Sequence, residues 1–289
     1  MDFYVGERKS GRGCLVAVLL VVAAVGVLLF LRTRRPAKEP PAATPAGAPA
    51  APAAADPGES LLAETRRLKA EDRLQEAREK AYELLDRSGN ARSRAQAEEL
   101  LGAINVDLVL SLRSMPEKTE YVVESGDSLA ALAKKFGTTV DVIRKGNRIP
   151  GTVIRAGDRM RIFGGKFSIT VDKSDNTLVL ALNDRFFKRY RVGTGEYGRT
   201  PTGAFTVREK IPQPTWWRPD GKAIPYGDTN NVLGTHWLSL DIPGYGLHGT
   251  WEQDTIGRQA SAGCIRLLNR DIEEIFSLVS EGTPVVITD

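Results

Sequence analysis

Eighteen consecutive apolar residues, Cys14 to Leu31, followed at once by Arg32, Arg34, Arg35 and Pro36, divide this 289-residue chain into unequal parts. As a helix rising about 1.5 Å per residue, such a run reaches roughly 27 Å, close to the thickness of a bilayer core. An uncleaved anchor and a cleaved signal peptide are the two readings. A signal peptide has a shorter apolar core and small residues at a cleavage site directly behind it. Arginines and a proline stand there instead, so the anchor is preferred, with residues 1–13 as a cytoplasmic tail and 14–31 as a transmembrane helix. Cys14 opens the run rather than following it, the wrong place for lipid attachment. Basic residues flank both ends (Arg8, Lys9 and Arg12; Arg32, Arg34, Arg35 and Lys38), so charge alone does not orient the span.

Beyond the apolar run the chain changes character three times. Residues 32–58 are rich in proline and alanine, cannot bury a core and predict an extended, semi-rigid linker. Residues 59–117 place Leu74, Ala77, Ala81 and Leu84, then Ala97, Leu100, Ile104 and Leu108, at helical spacing, with Ser88-Gly89-Asn90 breaking the pattern between them. The expectation is an α-helical hairpin with a short extra helix before it, acting as a packing or spacer element. Residues 119–163 start and end strand-like around two short helical stretches, Leu129 to Phe136 and Val140 to Gly146. Asp127 or Ser128 is placed to cap the first helix, and Gly157 to turn into the last strand. From residue 166 to 289 short strands alternate with turn chemistry: Phe167 to Val171, Leu178 to Leu182, the pair Asn183-Asp184, then Phe186 to Val192, with Thr235 to Leu240 further on. One late helix, Asp271 to Ser280, is expected to stop at Gly282. That pattern fits a β-sandwich or a partly closed barrel.

A net charge of +4 is mild, and describes a solvated mixed-charge surface or weak attraction to an anionic polymer. No basic stretch carries interleaved aromatics, which excludes a nucleic-acid reading. No Cys/His cluster has metal-ligand spacing, so neither metal nor cofactor is expected.

The chemistry concentrates in Ser261-Ala262-Gly263-Cys264-Ile265-Arg266. Cys264 is one of two cysteines, and Cys14 is the other. A free cysteine is often a small buried hydrophobe. Here Gly263 permits an unusual backbone beside the sulfur. Arg266 supplies a positive charge that favours thiolate and is suited to a carboxylate, though a structural role fits it equally. His248, in Gly246-Leu247-His248-Gly249-Thr250, lies sixteen residues upstream. A thiol needs a base at neutral pH, because its ordinary pKa of about 8.5 leaves only a few per cent ionised. The competing His236 alternates with Leu238 and Leu240, which puts it on an apolar face.

These residues resemble the L,D-transpeptidases of the YkuD type. The resemblance includes Thr200-Pro201-Thr202-Gly203-Ala204-Phe205, Asn231-Val232-Leu233-Gly234 and the ending Gly282-Thr283-Pro284-Val285-Val286-Ile287. Val232 stands where a proline is usual, and Ala262 where histidine or another polar residue is common. Residues 119–163, with Gly126-Asp127-Ser128-Leu129, Asn147 and the closing Ile154-Arg155-Ala156-Gly157-Asp158-Arg159-Met160-Arg161-Ile162, resemble a LysM domain. The implied fold is multidomain: a mostly-β YkuD-type catalytic domain, a small βααβ LysM domain, the helical hairpin and the transmembrane helix. The implied site has Cys264 as nucleophile, His248 as base and the Gly249 carbonyl holding the imidazole. Gly263 and Cys264 amides would form the oxyanion hole, with Ser261 and Arg266 holding substrate. The implied reaction releases D-alanine from a peptidoglycan stem peptide through a thioester and passes the acyl group to an amine, giving a 3→3 cross-link. Water as acceptor makes a carboxypeptidase, a protein amine anchors a protein to the wall, and a largely non-catalytic wall-binding tether is the reading from another class. The implied partners are peptidoglycan, through both domains, and the cytoplasmic membrane, with the domains on its outer, periplasmic side.

Overall fold

The computed structural model describes residues 57–87 and 90–289. The expected cytoplasmic tail and transmembrane helix, and nearly all of the linker, lie outside the described residues. Among the described residues no helix is long and apolar enough to cross a membrane.

Three helices come first, α1 (Pro57–Ala70), α2 (Leu74–Arg87) and α3 (Ala91–Val109). The expected hairpin with a short leading helix is therefore corrected: α1 has 14 residues, as many as α2. Its buried residues Leu62, Thr65 and Leu68 recur every three positions. The break behind it has no glycine or proline to announce it. Asp72 makes the turn, at φ 61, a conformation an aspartate tolerates better than most residues. Asn90 starts α3, its Oδ1 accepting the Arg92 amide at 2.9 Å.

The next unit is β1 (Lys118–Val122), α4 (Leu129–Phe136), α5 (Val140–Gly146) and β2 (Arg159–Phe163), with β1 and β2 antiparallel. Ser128 is the cap of α4, accepting from Ala131 at 3.1 Å. Asp127 instead accepts the Tyr121 hydroxyl. Asn147 ties α5 to β2: its Nδ2 donates to the Ile143 and Arg161 carbonyls, and its Oδ1 accepts the Arg161 amide at 2.7 Å.

The remaining strands are β3 (Phe167–Asp172), β4 (Thr177–Leu182), β5 (Arg185–Arg191), β6 (Thr194–Gly195), β7 (Gly203–Pro212), β8 (Trp216–Trp217), β9 (Ala223–Ile224), β10 (His236–Leu240), β11 (Gly246–Thr250), β12 (Gln259–Ser261), β13 (Ile265–Leu268) and β14 (Pro284–Thr288). Helix α6 (Asn269–Leu278) lies between the last two. It starts two residues before the expected position, and Gly282 serves as a turn into β14 at φ 83 rather than as the helix stop. Eight strands form one mixed sheet in the order β13-β11-β10-β7-β14-β3-β4-β5. Its two ends meet. Gly193, just past β5, exchanges two backbone hydrogen bonds of 2.8 Å with Arg266 of β13. Of sandwich and barrel, the sheet is the partly closed barrel.

Helix α6 packs Ile272 and Ile275 onto one face of this sheet, against the buried Leu238, Leu247, Ile265 and Leu267. Each such side chain contributes about 1.5–3 kcal/mol by leaving water. The edge strand β5 is covered by the helical unit: Tyr82 and Asn105 donate to the Phe186 and Phe187 carbonyls, each at 2.9 Å. The βααβ unit joins the barrel at the C-terminal end of α6. Thr139, which caps α5, also donates to the Ser277 carbonyl, and Lys145 Nζ lies 2.8 Å from the Ser277 hydroxyl. On the barrel side, Lys210 Nζ donates to the Phe276 and Val279 carbonyls, both at 2.6 Å.

Candidate active site

Strand pairing decides which side chains meet. Trp237 of β10 lies opposite His248 of β11, and His248 lies beside Arg266 of the parallel strand β13. Directly paired residues share a sheet face, and residues two apart share it again. Trp237, His248 and Arg266 therefore stand on one face, and Cys264 sits in the bend directly before β13, two residues ahead of Arg266. Leu238, Leu247, Ile265 and Leu267 stand on the other, under α6.

His248 is 3% exposed. Its Nδ1 lies 2.6 Å from the Gly249 carbonyl, which can only accept, so Nδ1 carries the proton and Nε2 keeps its lone pair. The Trp237 ring stacks on it at 5.6 Å between centroids. Burial, against the Gly249 hydrogen bond and with help from the Arg266 charge, lowers its pKa to about 4. The ring is neutral at neutral pH. A Cβ on Gly249 would stand 2.1 Å from Asn269 Oδ1, so any other residue there forces Asn269 to move.

Cys264 sits in the turn between β12 and β13, free and half-buried. Its thiol approaches the Gly244 carbonyl at 3.6 Å. Burial pushes its pKa up, while the Gly246 amide and the Arg266 charge pull it down. The pair thus rests as thiol and neutral imidazole, not as an ion pair. Arg266 is anchored by Glu252, 2.7 Å away, and its side chain is 14% exposed.

The turn itself is held by Ser261 and Gly263. The Ser261 hydroxyl donates to the Cys264 carbonyl at 2.6 Å and accepts the Gly263 amide at 3.0 Å. Two expectations change here. Ser261 is buried and occupied with the turn rather than presented to a substrate. The Gly263 amide, expected at the oxyanion position, is committed to Ser261. Gly263 is required for its own backbone, at φ 142, where a Cβ would meet the Tyr245 ring at 2.8 Å.

His236 is on the opposite face, its ring 4.4 Å from Phe276 of α6. Sequence reasoning missed Trp237, Glu252 and Asn269, and gave Thr200 a place in a family segment but no role of its own. The alternation that placed His236 with Leu238 and Leu240 also places Trp237 with the site. Asn231 of the Asn-Val-Leu-Gly segment is buried away from it, closing the loop between β7 and β10 through the Pro214 and Ile224 carbonyls at 2.9 and 3.0 Å.

A thiol, a neutral imidazole with a committed Nδ1 and an arginine that neighbours both are the equipment of nucleophilic acyl transfer. Comparison with known proteins agrees with that class. Residues 166–287 match the family model of the L,D-transpeptidase catalytic domain (YkuD), and residues 121–163 match that of the LysM domain. The chain is 33% identical over 176 residues to the putative L,D-transpeptidase YkuD of Bacillus licheniformis, covering 58% of this chain and 98% of that one. To the protein of the same description from Bacillus subtilis it is 32% identical over 174 residues, covering 58% and 97%. A solved L,D-transpeptidase from Mycobacterium smegmatis aligns with TM-score 0.37 at 19% identity, over 46% of this chain and 64% of that one, less than two thirds of its length. The chain belongs to the YkuD family of L,D-transpeptidases, and so to that class of enzymes.

Proposed function

We propose that this enzyme transfers an acyl group from a peptidoglycan stem peptide through a thioester on Cys264. The observation that carries the reading is the commitment of His248 Nδ1 to the Gly249 carbonyl, which leaves Nε2 as the nitrogen with a lone pair, in a ring beside Arg266. Nε2 takes the thiol proton as sulfur attacks the carbonyl of the third residue of a stem tetrapeptide. The Cys264 amide is the remaining donor for the oxyanion, since that of Gly263 is occupied. The C–N bond breaks, the imidazolium returns the proton to the departing D-alanine amine, and a thioester remains. The amine of a neighbouring stem then displaces Cys264, giving a 3→3 cross-link. Water or a protein amine is the alternative acceptor. Arg266, beside His248, favours the thiolate as it forms.

The LysM unit is proposed to hold the glycan of the same polymer. The apolar segment 14–31 is proposed to anchor the protein in the cytoplasmic membrane with the catalytic domain outside. Two measurements test the reaction and the topology. Intact mass after exposure to a carbapenem should show one adduct on Cys264, and Cys264→Ala should show neither the adduct nor D-alanine release from a tetrapeptide muropeptide. A membrane-impermeant maleimide should label Cys264 in intact spheroplasts; labelling only after lysis would put the domain inside.

A further inference from the structure

Thr200 is 1% exposed and lies 64 positions before Cys264. Its hydroxyl accepts the Gly195 amide at 2.7 Å and donates to the Gly263 carbonyl at 2.8 Å. Its own carbonyl accepts Nζ of the buried Lys173 at 3.1 Å, and that ammonium also pairs with Asp289 at 2.6 Å. Gly195 abuts the nucleophile turn so closely that a Cβ on it would stand 2.9 Å from Gly263 Cα. Strand β6, which contains Gly195, pairs with β12, which ends at Ser261. One hydroxyl thus joins the strand flanking the turn to the residue directly before the nucleophile.

The carbonyl it holds belongs to the peptide between Gly263 and Cys264. That unit is planar, with its N–H antiparallel to its C=O when trans. Fixing the oxygen of Gly263 therefore fixes the direction of the Cys264 amide. Hydrogen bonding to the carbonyl also polarises the same peptide and makes its N–H a better donor. We infer that Thr200 is a positioning residue that aims the Cys264 amide at the oxyanion, a role that rests on the acyl-transfer reading of this site. Lys173 supports it one bond further out, by holding the Thr200 backbone.

Two reactions of the one thiol should respond differently to loss of this hydroxyl. Acylation by a carbapenem passes through an oxyanion. Alkylation by iodoacetamide displaces iodide and develops no charge on a carbonyl held by the protein. Thr200→Val keeps the size of the side chain and removes the hydroxyl. It should slow carbapenem acylation about 10²-fold, the range set by loss of an oxyanion donor, and leave alkylation within about 3-fold. D-alanine release should fall in kcat with KM little changed, and Thr200→Ser should restore all three rates to within a few-fold. Parallel slowing of acylation and alkylation in Thr200→Val would mean a displaced thiol and overturn the inference. So would unchanged acylation, or a Thr200→Ser variant no faster than Thr200→Val. A wild-type enzyme that alkylates normally but is never acylated would instead sink the acyl-transfer reading itself. Thermal melting of each variant identifies one that has merely unfolded, and for that case Lys173→Met provides the milder perturbation, with the same selective loss of acylation expected.

Discussion

The two histidines of this chain occupy the two faces of one barrel wall, and burial lowers the pKa of both. What separates them is where each ring spends its nitrogens. His248 gives Nδ1 to the neighbouring Gly249 carbonyl and is stacked by Trp237, so its tautomer and plane are set. His236 leans on Phe276, with its Nδ1 buried and without a hydrogen-bond partner among the described residues. One ring is oriented by polar contacts and the other by apolar packing. A depressed pKa therefore does not separate the two; the committed Nδ1 of His248, on the strand beside Arg266, does.

The largest test of that contrast is activity. His248→Ala should lower kcat/KM for D-alanine release by at least about 10³-fold, and His236→Ala by less than about 3-fold. The reverse order would exchange their roles. Next comes pH. His248 titrates near 4 when folded against 6.5 as an ordinary histidine. Between those values the unfolded chain binds the proton and the folded one does not. Stability should therefore be intact above pH 6.5 and fall by about 3 kcal/mol as the pH drops to 4. Denaturant melts of wild type and His248→Gln at pH 7 and pH 4 read this, and the variant should lack that share of the loss. Third, Gly249→Ala forces a Cβ onto Asn269 Oδ1 and should cost about 1–3 kcal/mol. Adding Asn269→Ala should return part of that cost, and strict additivity would show that the clash is not the cause. The smallest effect is His236→Phe, which removes a buried polar atom from an apolar face. It should leave turnover alone and change stability by no more than a gain of about 1 kcal/mol. A clear loss would reveal a partner for that nitrogen.

Much of the fold was legible in the chain because its signals are local. Asn183-Asp184 reads as a tight turn, and both residues adopt positive φ, at 48 and 62. Leu129–Phe136 and Val140–Gly146 follow from helical spacing and capping residues. The segment Ser261–Arg266 is compact enough to stand out. What stayed hidden depends on chain segments far apart. The Thr200 hydroxyl reaches Gly263 across 63 positions, Asn269 reaches the Thr235 amide across 34, and Tyr82 reaches the Phe186 carbonyl across 104. The equal length of α1 stayed hidden for another reason: a single aspartate at positive φ ends it, without the usual breakers.

The joint at Ser277 has a mechanical meaning. A sugar-binding module on a loose string would let the thiol sample any stem peptide within reach. Here Thr139 and Lys145 grip one residue at the end of α6, so side-chain hydrogen bonds as well as the chain itself tie the module to the barrel. If the module holds a glycan strand as proposed, that joint would limit the stretch of polymer between the seat and Cys264, as a carpenter's gauge sets the distance of a cut from an edge. If the proposed transfer to a neighbouring stem holds, the resulting cross-links would favour some spacings along the strand over others, which sizing the glycan fragments between cross-links would reveal.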